Sequence, residues 1–407
     1  MSAGMSTGMR DGHEMTRAVV TGNQAAGHAL VAAGEANRSA RGCCGGCYPI
    51  TPQTEIIEQV MGARFSKGSF VAVESEHSAM AVCMGASFAG ARSFTASSSN
   101  GLLYMAENIF AAGMERLPIV MVVANRTIGP PWNIWADHGD SLALRDAPWL
   151  QLYCDSHQDL VDTILLAFRV AEDPRVLLPV MVTQDGFLLS HTSMVVDLPP
   201  QDLVDAYLPP LDLALRARTD HPRTYGQLMG PRETQRHRQE IQAAMERVPE
   251  VLEEASAEFA RVFGRRPHGA FEAEHTADAD TVIIAAGTTV STLRRVVEAR
   301  RSAGEKIGLV QLKLFRPFLR DEIASAIGAA RRVAVLDRDH SPGSGGIMWT
   351  EIATSLRQRP DVLLQNYIVG LGGGEVDPPL VELVLDDFAS RERAEAPIFF
   401  PREAVTP

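Results

Sequence analysis

The 407-residue chain has no apolar run long enough to cross a bilayer; its apolar stretches at 117–124 and 177–182 fall far short of the roughly 20 residues a spanning helix needs. Aromatic residues are scarce at 6%, and cysteines number five. Positive charge is also short: 38 lysines and arginines stand against 50 aspartates and glutamates, for a formal net charge of −12. A chain of that sign has no general attraction for nucleic acid or anionic membranes. No G-x-G-x-x-G follows a first strand, which argues against a flavin or nicotinamide dehydrogenase. Residues 1–16 carry Met, Gly and Ser with no apolar centre; unlike a secretory signal, they are expected to be a disordered start. A cytoplasmic setting, in which thiols stay reduced, is expected.

The rest is that of a protein with a full core: 45% hydrophobic and 22% charged residues. Apolar β-like runs at 71–73, 93–95, 119–124 and 177–182 alternate with helical patterns at 75–89, 102–114 and 160–171. Continuous apolar strands alternating with helices predict a parallel sheet covered on both faces. The pattern breaks at Pro199, Pro200, Pro209 and Pro210, and a long charged helix follows from about 233 to 263. Alternation returns with strands at 281–285, 307–314 and 333–337 and helices at 290–300, 320–329 and 347–356. The expected plan is α/β: a first domain over 17–200, a connecting arm over 201–275, a smaller second domain over 276–390 and a tail over 391–407. Arg294, Arg295, Arg300 and Arg301 read as a solvated helix face.

Ligands of open parallel sheets sit beyond the carboxyl ends of the strands. One such end is Tyr48-Pro49-Ile50-Thr51-Pro52, where Thr51 presents a hydroxyl to the crevice or caps the following helix. Glu76 opens a helix, where it serves the helix dipole or faces a protonatable heterocycle. Ser97 and Ser98 belong to a small polar run before a helix, with free N–H groups and room for a ligand. Arg126 ends a buried strand, where a cation is costly unless it meets an anion or a ligand; Asp137 and Asp140 are candidate ion-pair partners. His138 offers acid–base chemistry or serves as a hydrogen-bonded structural histidine, and the structural reading is preferred. Cys43, Cys44 and Cys47 invite a metal reading, but a cluster or structural zinc site calls for four ligands, and a glycine-rich turn leading into the first strand is preferred. Ser341-Pro342-Gly343-Ser344-Gly345-Gly346 looks like a phosphate cradle or a close-packed strand–helix turn.

Taken in order, several strings resemble the α subunit of the pyruvate:ferredoxin oxidoreductase family of 2-oxoacid:acceptor oxidoreductases. They are Tyr48-Pro49-Ile50-Thr51-Pro52, Val73-Glu74-Ser75-Glu76-His77-Ser78-Ala79-Met80, Gly85-Ala86-Ser87, Gly90 through Ser97, Asn125-Arg126 and Asn133 through Ser141. Leu314-Phe315-Arg316-Pro317-Phe318, Val335-Leu336-Asp337-Arg338 and Ile368 through Gly373 continue the set. The resemblance implies a pyrimidine-type thiamin-diphosphate-binding domain followed by a transketolase-C-terminal-like α/β domain. It implies oxidative decarboxylation of pyruvate with coenzyme A to acetyl-CoA and carbon dioxide, or the reverse. It also implies a β subunit holding the diphosphate and Mg2+, 4Fe–4S clusters in partner subunits, a γ subunit, a ferredoxin-like δ subunit, and ferredoxin as electron acceptor.

On the same resemblance Glu76 would bond the pyrimidine ring nitrogen, while Thr51 and Arg126 would hold the substrate carboxylate. Ser97, Ser98, Pro49 and Ile50 would line the cofactor, and this chain would hold no metal. Thr51 argues against an oxalate-specific relative, and the Asp137–Asp140 stretch looks more like pyruvate than 2-oxoglutarate enzymes. Trp132 places a bulky aromatic near Arg126, which leaves 2-oxoglutarate, branched-chain 2-oxoacids and phenylglyoxylate as alternative substrates. A scaffold subunit without catalysis is the other alternative.

Overall fold

The computed structural model describes residues 6–10, 13–214, 216–222 and 224–401. Its largest sheet has seven strands, in the spatial order Leu314–Arg316, Leu150–Tyr153, Val180–Asp185, Ile119–Asn125, Arg92–Ser97, Cys43–Cys47 and Gly68–Ala72. All neighbours pair parallel except Leu314–Arg316, which runs antiparallel at the edge. Arg92–Ser97, Ile119–Asn125 and Val180–Asp185 are buried along their whole length, as strands covered on both faces should be. One face is covered by Gly22–Glu35, Thr54–Gly62 and His157–Ala171; Glu76–Phe88 and Ala106–Met114 pack on the other with Met80, Met105, Ile109 and Trp149. The helix expected over 102–114 is two helices, Ser99–Tyr104 and Ala106–Met114, which meet at Met105.

The first strand is itself the cysteine–glycine run Cys43–Cys47, not a segment after a glycine-rich turn. Its glycines are steric necessities. A Cβ on Gly45 would lie 2.1 Å from the Phe94 carbonyl oxygen, and one on Gly46 would lie 2.4 Å from Ala79 Cα. Only glycine lets the helix Glu76–Phe88 sit this close to the sheet.

The second sheet has six strands, in the order Phe271–Glu274, Ile307–Leu312, Thr281–Ala286, Arg332–Asp337, Leu363–Val369 and Ile398–Phe400, parallel except for the first. Thr289–Ser302 and Pro378–Ala389 cover one face, and Arg320–Ala326 and Ile347–Ser355 the other. The apolar run expected to form one strand over 307–314 divides at Lys313. That lysine is 1% exposed and turns inward to pair with Asp159 of the first domain, which sends Leu314–Arg316 onto the first sheet.

Three expected boundaries differ from the structure. Instead of a disordered start, Ser6–Arg10 and His13–Thr21 form a hairpin, and the latter pairs antiparallel with Ser193–Leu198. Composition pointed to disorder, but pairing with a distant strand satisfies the backbone. Residues 1–5 and 11–12 lie outside the described residues. The expected arm contains the helix Pro231–Phe263, whose stripe of Ile241, Val248, Val251, Leu252, Ala255 and Phe259 is buried in the first core. It is part of that domain, because a charged helix with one apolar face must bury it. The expected tail supplies Ile398–Phe400 to the second sheet, while residues 402–407 lie outside the described residues. Among the described residues no helix is long and apolar enough to cross a membrane.

The two domains meet at a buried polar joint. Asp185 ends its strand with a 2.7 Å bond to His138 Nε2, and it accepts from the N–H of Thr288, 3.1 Å away, and from the Thr288 hydroxyl. Arg338 lies 3.8 Å from Asp185, and its carbonyl accepts the N–H of His138 at 2.9 Å. His138 is thus the structural histidine expected. Burial alone would push the Asp185 carboxyl up, but His138, Arg338 and Thr288 more than offset it and hold it well below the usual carboxylate range. A depressed native pKa means the stabilisation is complete above the unfolded value of about 4 and is lost as pH falls through the native value. Urea unfolding of the chain and of Asp185→Asn should therefore differ most at neutral pH, with the gap closing as pH drops below about 4. A gap that does not depend on pH would contradict the joint.

Candidate active site

The carboxyl ends of the parallel strands carry the residues singled out by the sequence. Tyr48 to Thr51 follow Cys43–Cys47, Ser75-Glu76 follow Gly68–Ala72, Ser97 and Ser98 end and follow Arg92–Ser97, and Arg126 follows Ile119–Asn125. Adjacent strand ends therefore bring them to one crevice.

Glu76 is the first residue of the helix Glu76–Phe88, and the neighbouring Ser75 does the capping by accepting the N–H of Ser78 at 3.2 Å. The Glu76 carboxyl is turned inward and the residue is 7% exposed. Its place is marked by Gly101, where a Cβ would lie 2.7 Å from Glu76 Oε1 and 2.6 Å from Ser97 Oγ. Among the described residues no donor reaches the Glu76 carboxylate. The hydroxyls of Ser97 and Ser98 are also buried without a partner. An acceptor-only carboxylate beside two unpaired hydroxyls, floored by a glycine, fits a polar heterocycle.

Arg126 is 6% exposed. Its Nη1 donates to the Thr51 carbonyl at 2.6 Å, while its Nε has no partner among the described residues. Burial pushes its pKa below the usual arginine range, against the opposing pull of Asp140 and then Glu76. Among the described residues it makes no ion pair, and the ring of Trp132 lies 6.0 Å from the guanidinium carbon. An arginine held this way is available to an anion from the crevice. Thr51 is exposed and does not cap the next helix, which starts at Thr54 with Gln53 at its N-cap. Pro49 is exposed and Ile50 half-buried, so this segment forms the rim.

Asp140 is one of the two aspartates offered by the sequence as an ion-pair partner for Arg126, and its role is different. Its carboxylate accepts backbone N–H groups of Ser99 (2.8 Å), Arg126 (3.1 Å) and Ser141 (2.7 Å) and the Asn125 amide (2.6 Å). Burial pushes its carboxyl up to about 6 in spite of these donors. Sequence reading also missed Asn100, whose side-chain amide exchanges two bonds with the backbone of Gly129, at 2.8 and 3.0 Å. Asn23 was missed as well; it donates to the Pro52 carbonyl at 2.6 Å and holds the Thr51 rim. An asparagine whose bonds go to backbone carbonyls and N–H groups carries no signal of its own in the sequence.

The loop from Ser341 to Gly346 is a close-packed turn, not a phosphate cradle. The N–H groups opening the helix Ile347–Ser355 are taken by Asp339 and Asp337, at 3.0 Å for Ile347 and 3.1 Å for Met348. A Cβ on Gly346 would fall 2.0 Å from Asp337 Oδ2. The thiols do not converge on a metal either, because strand alternation turns Cys43 and Cys47 to one face and Cys44 to the other. Burial pushes Cys43 and Cys47 up to about 12 and Cys83 to about 11. Thiols so protonated are poor nucleophiles, so at about pH 8 a disulfide reagent should label at most the half-buried Cys44 in the native chain and all cysteines after denaturation. Rapid native labelling of a second thiol would contradict the packing of this strand.

Comparison with known proteins agrees with this architecture. Residues 43–257 match the family described as pyruvate flavodoxin/ferredoxin oxidoreductase, thiamine diP-binding, and residues 279–381 match pyruvate:ferredoxin oxidoreductase core domain II. The first domain is therefore a thiamin-diphosphate-binding α/β domain. The chain is 43% identical to the pyruvate synthase subunit PorA of Methanothermobacter thermautotrophicus, over 85% of this chain and 90% of that one. It is 40% identical to the ketoisovalerate oxidoreductase subunit VorA of Pyrococcus abyssi, over 91% and 92%. In fold it resembles the 2-oxoglutarate:ferredoxin oxidoreductase of Magnetococcus marinus, with a TM-score of 0.69 and 19% identity over 91% of this chain and 65% of that chain. The chain belongs to the pyruvate flavodoxin/ferredoxin oxidoreductase family.

Proposed function

We propose that this chain is the α subunit of a 2-oxoacid:ferredoxin oxidoreductase that oxidises pyruvate with coenzyme A to acetyl-CoA and carbon dioxide, or runs the reverse reaction. The observation that carries this reading is the inward carboxylate of Glu76, to which no donor among the described residues is bonded, beside the similarly unpartnered Ser97 and Ser98 hydroxyls, with Arg126 at the same crevice. When bound, thiamin diphosphate supplies the nucleophilic carbon and the electron sink for decarboxylation.

The chain's own residues bind and orient. A Glu76 oxygen accepts from the pyrimidine ring nitrogen and favours its protonated form, as a buried acid–base group should. Ser97, Ser98, Pro49 and Ile50 line the ring. Arg126 grips the substrate carboxylate with charge-assisted bonds, and Thr51 lends its hydroxyl at the rim. A partner β subunit would hold the diphosphate and Mg2+, and partner chains would hold the 4Fe–4S clusters that supply one-electron transfer to ferredoxin. A γ subunit and a ferredoxin-like δ subunit complete the assembly, in the cytoplasm. Exposed aromatics at this edge support such a partner: Trp132 is 68% and Tyr104 62% exposed. The likeness to VorA and the Trp132 wall support a second reading, a branched-chain 2-oxoacid as substrate.

Viologen reduction by the natively purified complex, with coenzyme A and a panel of 2-oxoacids, tests the reading. Turnover with pyruvate alone fixes the substrate, turnover only with bulkier acids moves it, and none with cofactor bound favours the scaffold alternative. Glu76→Gln should leave the complex assembled and lower kcat on the order of 100-fold; parent-like turnover would remove the role given to Glu76. Arg126→Ala should raise the KM for the 2-oxoacid about 10-fold or more, the loss of a charged hydrogen bond. An unchanged KM would make Arg126 a purely structural cation.

A further inference from the structure

Two separate turns must hold a fixed distance if the crevice is to receive both a ring and an anion. One turn carries Ser97 and Ser98 and continues into Ser99. The other carries Arg126 and continues through Thr127 to Gly129. They leave neighbouring strands, Arg92–Ser97 and Ile119–Asn125, whose register ends at Ser97 opposite Val123, so no ladder bond ties them beyond that point. Side chains make the connection instead. Asp140 Oδ2 accepts the backbone N–H of Ser99 at 2.8 Å and that of Arg126 at 3.1 Å, one from each turn. Its Oδ1 accepts from the Asn125 amide at 2.6 Å and from the N–H of Ser141 at 2.7 Å. The four lone-pair sites of a carboxylate are thus all engaged, at a residue with 0% exposure.

Further bonds run in parallel. The Ser99 hydroxyl donates to the Thr127 carbonyl, and the Asn100 amide takes both backbone groups of Gly129. Ser99 sits at φ 48°, a left-handed conformation that a serine adopts only when its surroundings impose it. The Asp140 bond to its N–H is one such imposition.

We propose that Asp140 is the positioning residue that sets the span between the serine shelf and the arginine grip. This rests on the reading of the crevice given above. Asp140 touches neither ring nor substrate. It acts through Ser99 and Arg126, whose backbone it fixes. Among the described residues Asp140 makes no bond to Glu76, whose helix is held by its own cap at Ser75. The division has a kinetic signature: loosening the brace weakens the hold on the substrate carboxylate and leaves proton handling at Glu76 in place.

Asp140→Asn keeps the shape but turns one oxygen into a donor, so one pair of N–H donors faces an N–H group whichever way the amide points. In the assembled complex the KM for the 2-oxoacid should rise about tenfold, while kcat per bound cofactor stays within about threefold. Asn125→Ala, which removes a donor to Asp140 and leaves its three backbone bonds, should shift KM in the same direction by about threefold, and it decides the matter if Asp140→Asn does not fold. Amide hydrogen exchange supplies a readout that does not need turnover: segments 97–104 and 125–132 should exchange about tenfold faster in Asp140→Asn than in the parent, with 157–171 unchanged. Equal loss of kcat with unchanged KM, or parent-like exchange in both segments, overturns the proposal. A parent complex inactive toward every 2-oxoacid would sink the functional reading alone, and the exchange result would still judge the brace.

Discussion

The carboxylate of Asp185 holds the halves of the chain together, and the site depends on that joint. It ends a strand paired with the one that ends at Asn125, next to Arg126. From there it reaches His138, Thr288 and Arg338, so the loop between Arg126 and Ser141 is pinned at its far end by the second domain. A loop of that length would otherwise be the mobile part of an α/β domain. Here it is fastened inside by Asp140 and outside by Asp185.

Buried charge recurs through the fold, and several such groups are paired or bonded to backbone carbonyls. Arg92 has 0% exposure and is bidentate to Glu172 at 2.6 and 2.7 Å, and it also donates to the carbonyls of Ala33 and Pro209. Lys313 meets Asp159, and Arg338 donates to the Gly370 carbonyl at 2.9 Å. Removing one member of such a pair strands the other in a medium that cannot solvate it. In the crevice, Arg126 Nε and the Ser97 and Ser98 hydroxyls have no partner among the described residues, and the three lie at adjoining strand ends.

Much of the fold was legible because its strands are continuous apolar runs. Ile119–Asn125, Thr281–Ala286 and Arg332–Asp337 lie within one or two residues of where hydropathy puts them. Cys43–Cys47 was not, since a strand of cysteine and glycine has no β-propensity to read; its identity is set by how near Ala79 and Phe94 approach. The hairpin at the start and the packed helix in the expected arm follow from tertiary contact, to which local composition is blind. Of the crevice, the strand-end residues Thr51, Glu76, Ser97 and Arg126 were readable from motif order. Asn23, Asn100 and the bracing part of Asp140 were not, because their work is with backbone atoms that any sequence possesses.

The strand Leu314–Arg316 belongs to the second domain by chain order and to the first by hydrogen bonding. The chain is therefore not modular in the way its two sheets suggest. Cutting it anywhere between residues 264 and 313 would strip the first sheet of its edge at Leu150–Tyr153, and grafting the second half elsewhere would carry along an orphan strand. Any rearrangement of subunits by fusion or fission has to keep these halves on one polypeptide, with junctions placed before the hairpin or after the last strand.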